Sequence, residues 1–272
     1  MREAELSSGL ALTNQIENNL WETWSNFGRG PGCALHDEHG ALWFETPVPI
    51  IPYNGVLKFQ VSENPDRRIG AIVEHFQCRQ VPFMWIVHPS SQPTDLPSRL
   101  TRYGLKDVEP IYGMARSLAD LPEVPRLPEA IEIRKVADER DASAFYQFAA
   151  WRWNIPKEHA PQYAFIVSEL RLGLPASKAH LWQAWRKGRP VAKAGMYLGS
   201  GSAGIYGVAT KPEARRFGLA RALTLIALHE ARTSGYQVAV LHSTPMAEAL
   251  YQSIGFATLA EFRLFASEEV MV

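Results

Sequence analysis

A basic, glycine-containing turn between an apolar strand and an apolar-striped helix is the segment of this sequence best suited to chemistry. The segment reads VATKPEARRFGLARALTLIALHE over residues 208–230. The apolar residues after the turn share one helical face: Leu219, Ala222, Leu223, Ile226 and Ala227. A helix that begins at such a turn presents unpaired N–H groups and the positive end of its dipole. The pattern therefore predicts an anion site, most often a phosphate site.

The same turn carries a family resemblance. Arg215-x-x-Gly218-x-Ala220 resembles the acyl-coenzyme A loop of the GNAT acetyltransferase superfamily. Downstream, STPMAEALYQSIGF (243–256) resembles the second signature of that family, a short helix with a tyrosine followed by Gly-Phe. Upstream, RKGRPVAKAGMYLG (186–199) lies where the family has its central hairpin. The resemblance covers residues 131–272.

The resemblance implies acetyl-coenzyme A as co-substrate and no metal. In the family, the strand before the loop separates from its neighbour and bonds the pantetheine arm, while the loop holds the pyrophosphate. Residues 218 and 220 must be small, because a larger side chain would block the phosphate. The implied coenzyme-binding residues are Val208, Ala209, Thr210, Arg215, Arg216, Phe217, Gly218, Leu219, Ala220, Arg221 and Ser243.

The implied reaction is attack of an amine on a thioester. Such a reaction needs a neutral amine and benefits from a proton donor to the departing thiolate. Tyr251 matches the family's tyrosine and is the predicted catalytic donor. The proton acceptor stays open between His242, Tyr206 and a chain of waters.

Aromatic residues are concentrated where the family covers its acceptor. Trp151, Trp153, His159 and Tyr163 lie in AAWRWNIPKEHAPQYAF, and the hairpin adds Trp182 and Trp185. They form either core and lid packing or an apolar acceptor groove. No acidic cluster of the kind a polycationic acceptor needs is present there. The expected acceptor is a primary amine of a small molecule, an amino acid or a peptide.

The two halves of the chain repeat the same order of elements. NGVLKFQ, RRIGAIVEHF and WIVHPSS in the front half match YGVATKP, RRFGLARALT and AVLHSTP in the rear half. A proline-rich segment lies between the halves. The expected fold is α/β with a mixed sheet, a GNAT fold in two tandem domains. The expected boundaries are a front domain at 1–121, a linker at 122–130 and a catalytic domain at 131–272.

The front half is expected to be degenerate. Leu100 aligns with Tyr251, so the donor is missing, and Ile72 aligns with Ala220, so a bulky side chain fills the turn. Asn64 as an N-cap before Pro65 starts the helix early and places Arg67–Gly70 in its first turns. This half is predicted not to acetylate an acceptor.

Composition excludes several classes of protein. The 272 residues have a net charge of zero, which argues against a nucleic-acid or anionic-membrane surface. Two distant cysteines indicate neither a disulfide framework nor a zinc site. No apolar run suits a signal peptide or a membrane span. We expect a cytoplasmic protein, monomeric or homodimeric.

Three alternatives keep the same fold. The first is an acyl-coenzyme A binding or sensing protein without turnover. The second uses a longer acyl group or an aminoacyl-tRNA as donor, and the neutral charge argues against tRNA. The third is a structural partner subunit, which the intact loop at 215–220 disfavours.

Overall fold

A computed structural model describes residues 2–268, and the chain divides into two compact units. The first unit contains the residues up to Asn19 together with Gly113–Leu259. The second contains Leu20–Tyr112 together with the residues from Ala260 onward. Helices alternate with strands of mixed direction, so the predicted α/β class is confirmed.

The helices and strands have the following bounds. The helices are α1 (Arg2–Ser25), α2 (Pro65–Cys78), α3 (Leu96–Arg102), α4 (Glu139–Arg152), α5 (Ala160–Glu169), α6 (Leu219–Thr233) and α7 (Pro245–Gln252). The strands are β1 (Ala34–Glu38), β2 (Ala41–Glu45), β3 (Gly55–Phe59), β4 (Met84–Val87), β5 (Lys106–Ser117), β6 (Ile131–Lys135), β7 (Ala179–Arg186), β8 (Arg189–Leu198), β9 (Ala203–Thr210), β10 (Val238–Ser243) and β11 (Ala257–Ala266). Among the helices within residues 2–268, none combines the length and apolar character that crossing a bilayer requires.

The sheet of the first unit has the strand order β5-β10-β9-β8-β7-β6, to which β5 contributes residues 113–117. The pairs from β6 to β9 are antiparallel, and β9 and β10 are parallel. The hairpin predicted between β7 and β8 is confirmed, with Lys187 and Gly188 at φ 49° and 71°. Helix α6 packs on β7, β8 and β9, and α4 packs on β7 and β8.

Helix α6 is held by the apolar face that the sequence predicts. Of the five predicted residues, Ile226 is only half-buried, and the buried face of α6 also includes residues that the prediction did not name. Its buried apolar residues are Leu219, Ala222, Leu223, Leu225, Ala227, Leu228 and Ala231. Each buried leucine contributes ~1.5–3 kcal/mol, so the helix start is firmly anchored. Gly235 follows the helix at φ 90° and ends it.

The sheet of the second unit has the strand order β1-β2-β3-β4-β11-β5. β11 contributes its residues from Ala260 onward, and β5 contributes residues 106–112. Its core includes Phe59, Phe76 and Trp85. The predicted helix α2 begins at Pro65, which places Arg67–Gly70 in its first turns.

Asn64 is the N-cap of α2 and Pro65 is its first residue, as predicted. The Asn64 side chain makes no capping hydrogen bond, and its backbone is in the left-handed region at φ 47°.

Both units contain a strand, a helix and a parallel strand in succession. These are β3-α2-β4 in the second unit and β9-α6-β10 in the first. The order agrees with the internal repeat in the sequence. The compact units, however, interleave along the chain, because β11 pairs with β4 from Arg263 to Ala266. Tandem domains with boundaries at 1–121, 122–130 and 131–272 therefore remain a prediction.

Candidate functional site

A fork between two parallel strands is the central feature of the site. β9 and β10 pair from Ala203–Ala239 to Ile205–Leu241, where their ladder ends. β9 nevertheless continues to Thr210, still paired with β8. The two strands therefore diverge beyond Ile205, and backbone groups of β9 face a gap rather than a neighbouring strand.

A bulge in β9 lies where the fork opens. Gly195 pairs with Tyr206 and Lys193 pairs with Ala209, so two residues of β9 lie opposite a single residue of β8. One of the two is Gly207, which has φ 60° and is exposed. A bulge bends its strand and strengthens the local twist, which accounts for the divergence of β9 from β10.

The fork leads into the basic turn. Pro212–Ala214 form a short 3-10 turn, and Arg216 and Gly218 then adopt positive φ of 68° and 73°. Gly218 is the N-cap of α6, and no side chain caps the helix there. A Cβ at Gly218 would meet no atom within 4 Å, so the space before the helix is open. The N–H groups of the first helical turn therefore face open space, and the predicted anion site at this turn stays a prediction.

Side chains around the turn differ in what they can reach. Arg215 and Arg216 are exposed. The Arg186 guanidinium lies 5.0 Å from the centre of the half-exposed Phe217 ring. Arg221 donates to the Ser253 carbonyl at 3.1 Å and to the Ser253 hydroxyl at 2.9 Å. Arg221 is thus held against the end of α7, which leaves its backbone N–H for the anion.

The other predicted coenzyme residues fall into two environments. Val208, Ala209 and Thr210 lie on the diverging part of β9 and are half-buried. Thr210 Oγ1 is buried and has no hydrogen-bond partner within the described residues. An unsatisfied buried hydroxyl is costly, so a ligand that bonded it would be favoured. Ser243, by contrast, is buried and donates to the carbonyl of Thr244 at 2.8 Å.

Tyr251 lies near the end of α7. Its side chain is buried and makes an edge contact with Phe256, with ring centres 6.1 Å apart. Burial raises the pKa of Tyr251 to about 12. The phenol is therefore protonated at neutral pH and can act as a proton donor, the role that the sequence predicts for it.

The two predicted base candidates lie side by side. Tyr206 and His242 stack with ring centres 6.4 Å apart and planes 23° apart. The Tyr206 hydroxyl donates to Asn19 Oδ1 at 2.8 Å, and Asn19 Nδ2 donates to the Ser202 carbonyl at 2.7 Å. Since the Tyr206 proton is committed to Asn19, the geometry favours His242 over Tyr206 as a base. A Cβ at Gly204 would collide with Asn19, so glycine is required for this approach.

The predicted acceptor aromatics are only partly brought together. Trp151 is exposed, and Lys211 Nζ lies 5.5 Å from its ring centre and 5.5 Å from that of Phe148. Trp182 and Tyr163 are buried, in agreement with core packing. The remaining three are half-buried: Trp153 beside Arg152, His159 at the N-cap of α5, and Trp185 beneath Arg134 of β6.

Sequence reasoning missed one residue, Lys193. It is 3% exposed, and its Nζ donates to the Gly207 carbonyl at 2.8 Å. The available signal was a single lysine within the otherwise uncharged strand PVAKAGM. Within residues 2–268, no group of three or more His, Cys, Asp or Glu side chains could hold a metal ion.

Comparisons with known proteins agree with this geometry. Residues 156–266 match the family described as Acetyltransferase (GNAT) domain. The chain is 31% identical over 166 residues to a mycothiol acetyltransferase of Thermomonospora curvata, covering 58% of this chain and 54% of that protein. A second protein of that name, from Actinosynnema mirum, is 29% identical over 57% of this chain and 54% of its own length. The chain thus spans about half the length of these curated relatives.

Solved structures share the fold over most of the chain. A GCN5-related N-acetyltransferase from Kribbella flavida gives a TM-score of 0.66 at 18% identity, covering 92% of this chain and 96% of its own. A tandem GNAT protein from the clavulanic acid biosynthesis pathway gives 0.61 at 13% identity, covering 89% and 86%. The family match shows that residues 156–266 form a GNAT acetyltransferase domain, and the solved structures show that the fold extends over most of the chain.

Proposed function

We propose that the protein is an N-acetyltransferase that moves an acetyl group from acetyl-coenzyme A to a primary amine. The observation that carries the proposal is the fork between β9 and β10, which leads directly to the uncapped start of α6 at Gly218. The fork supplies backbone groups for the pantetheine arm. The helix start supplies N–H groups and a positive dipole for the pyrophosphate.

The residues of the fork have distinct proposed roles. Val208 and Thr210 bind the arm through β9, and we assign the half-buried Val208 to the acyl end because it is the second residue of the bulge. Tyr251 gives its proton to the departing thiolate, since its phenol is protonated at neutral pH. His242 takes the proton of the attacking amine, directly or through water. The amine nitrogen then bonds the acyl carbon as the carbon–sulfur bond breaks.

The acceptor is proposed to be a small molecule with a primary amine, an amino acid or a peptide end. The names of the two curated relatives support a small acceptor related to mycothiol, but each match spans about half of either chain. Exposed Trp151 beside Lys211 provides an aromatic and cationic surface near the end of β9. Such a surface suits an acceptor that carries both an apolar part and an anionic group.

The test is release of coenzyme A thiol from acetyl-coenzyme A by the purified full chain. The panel should contain amino acids, short peptides, amino sugars and amines related to mycothiol. Release that depends on one acceptor, with the acetylated amine found by mass spectrometry, supports the proposal. Tight coenzyme binding without release for any amine, and equal rates for wild type and Tyr251→Phe, would favour a sensing protein instead.

A further inference from the structure

Lys193 is a buried lysine, and no carboxylate within residues 2–268 forms an ion pair with it. It lies in β8 between Ala192 and Ala194, and its Nζ is 4.8 Å from the centre of the Phe145 ring. Burial, and then repulsion by the Arg152 guanidinium, lowers the pKa of Lys193 to about 7. A lysine whose charge is disfavoured in this way is typical of functional sites rather than of cores.

The hydrogen bond of Lys193 is to the bulge. Its Nζ donates to the carbonyl of Gly207 at 2.8 Å. A Cβ at Gly207 would lie 2.8 Å from that Nζ, so the contact also depends on glycine at this position. The lysine therefore reaches across from β8 to the residue at which β9 leaves its regular ladder.

The hydrogen bond to the Gly207 carbonyl also affects the N–H group of the next residue, Val208. The Gly207 carbonyl and the Val208 N–H belong to the same planar trans peptide, so they point in opposite directions. Fixing the carbonyl therefore fixes the direction of the Val208 N–H. An ammonium group on the carbonyl oxygen also polarises the peptide, which makes its N–H a stronger donor.

We propose that Lys193 is a positioning residue, which holds the Gly207–Val208 peptide so that the Val208 N–H bonds the thioester carbonyl oxygen. The inference rests on the proposed function, which places Val208 at the acyl end of the coenzyme. The N–H stabilises the negative charge that develops on that oxygen when the amine attacks. Lys193 itself neither touches the substrate nor moves a proton.

A merely structural lysine predicts a different outcome on substitution. Lys193→Met keeps an unbranched apolar side chain, one heavy atom shorter, and removes the buried amine, so the desolvation cost of its charge disappears. We therefore expect the melting temperature of Lys193→Met to equal or exceed that of the wild type. Loss of catalysis without loss of stability then separates positioning from packing.

The experiment compares wild type, Lys193→Met and the matched control Lys178→Met, in which the same substitution is made at an exposed lysine. For each we measure the melting temperature, the Kd for coenzyme A, and kcat and KM for acetyl-coenzyme A. Loss of an oxyanion donor costs ~100- to 1000-fold in kcat. Since the donor is misdirected rather than removed, we expect kcat of Lys193→Met to fall on the order of 10- to 100-fold. The Kd for coenzyme A should stay within about twofold, because the phosphate site at α6 is untouched.

Each other result overturns the inference. An unchanged kcat shows that Lys193 does not position the donor. A fall in kcat together with lower stability and weaker coenzyme A binding shows a packing role. If wild type binds coenzyme A but no amine reacts, acceptor-independent hydrolysis of acetyl-coenzyme A is the readout, and equal rates in wild type and variant reject the inference. Failure of wild type to bind coenzyme A rejects the proposed function, and the inference with it.

Discussion

Substituting Gly218 tests the phosphate site most directly. Gly218 has φ 73°, caps α6, and would place a Cβ in open space. Gly218→Val therefore strains the backbone and puts a branched side chain where we propose that the pyrophosphate binds. Gly235 is the matched control, because it lies beyond the other end of the same helix with φ 90° and an equally open Cβ position.

The expected magnitudes separate strain from binding. A non-glycine residue at positive φ costs ~1–3 kcal/mol, so both variants should lose similar stability. Only Gly218→Val should lose coenzyme affinity. Loss of two hydrogen bonds to charged phosphate oxygens, at ~1.5 kcal/mol each, is about 3 kcal/mol, which weakens Kd on the order of 100-fold.

The assay is calorimetric titration with coenzyme A, with melting curves for both variants. A Kd for Gly218→Val on the order of 100-fold above that of Gly235→Val confirms the site. If the two variants bind coenzyme A equally, the helix start at Gly218 does not hold the phosphates, and the assignment of residues 215–221 is wrong.

Three further predictions follow from individual side chains. Tyr251→Phe should lower kcat for thiol release on the order of 100-fold with unchanged coenzyme A affinity, because the phenolic proton is lost and the ring remains; an unchanged kcat rejects Tyr251 as the donor. Thr210→Val should leave the melting temperature unchanged or higher and weaken acetyl-coenzyme A binding a few-fold, because it removes an unsatisfied buried hydroxyl; a lower melting temperature with unchanged affinity contradicts this. In the second unit, burial acts to raise the pKa of Glu45, but hydrogen bonds from His75 and His36 and the charge of Arg79 outweigh it and lower that pKa. The extra stability of wild type over Glu45→Gln should therefore be present above about pH 4.5 and shrink as the pH falls through the lowered pKa. The measurement is unfolding of both proteins at several pH values, detected through Trp43, which stacks on His36. A stability difference that does not change with pH rejects the ion pairs as its source.

Local features of the first unit could be predicted from the sequence. The bounds of α6, the turn at Lys187-Gly188 and the stop at Gly235 depend on residues a few positions apart. Such elements have their own apolar period and turn chemistry, so a single segment contains enough information. The open, uncapped helix start at Gly218 is likewise a property of one short stretch.

Features that depend on distant residues could not be predicted in this way. The strands β5 and β11 are among these features, because strands are set by partners elsewhere in the chain. The bond between Tyr206 and Asn19 joins residues 187 positions apart. Lys193 and Gly207 are also brought together by register rather than by sequence motif. No pattern of spacing within either segment indicates these contacts.

This difference between local and distant features separates the two ends of the proposed coenzyme site. The phosphate end at residues 215–221 is one continuous segment inside the matched GNAT domain, 156–266. The face that carries Tyr206 and His242 is instead completed by Asn19 of α1, and the bulge lysine is bordered by Phe145 and Arg152 of α4. All three of these neighbours lie outside the matched range. A different α1 or α4 would therefore change the surroundings of Tyr206, His242 and Lys193 and leave the continuous segment 215–221 unchanged.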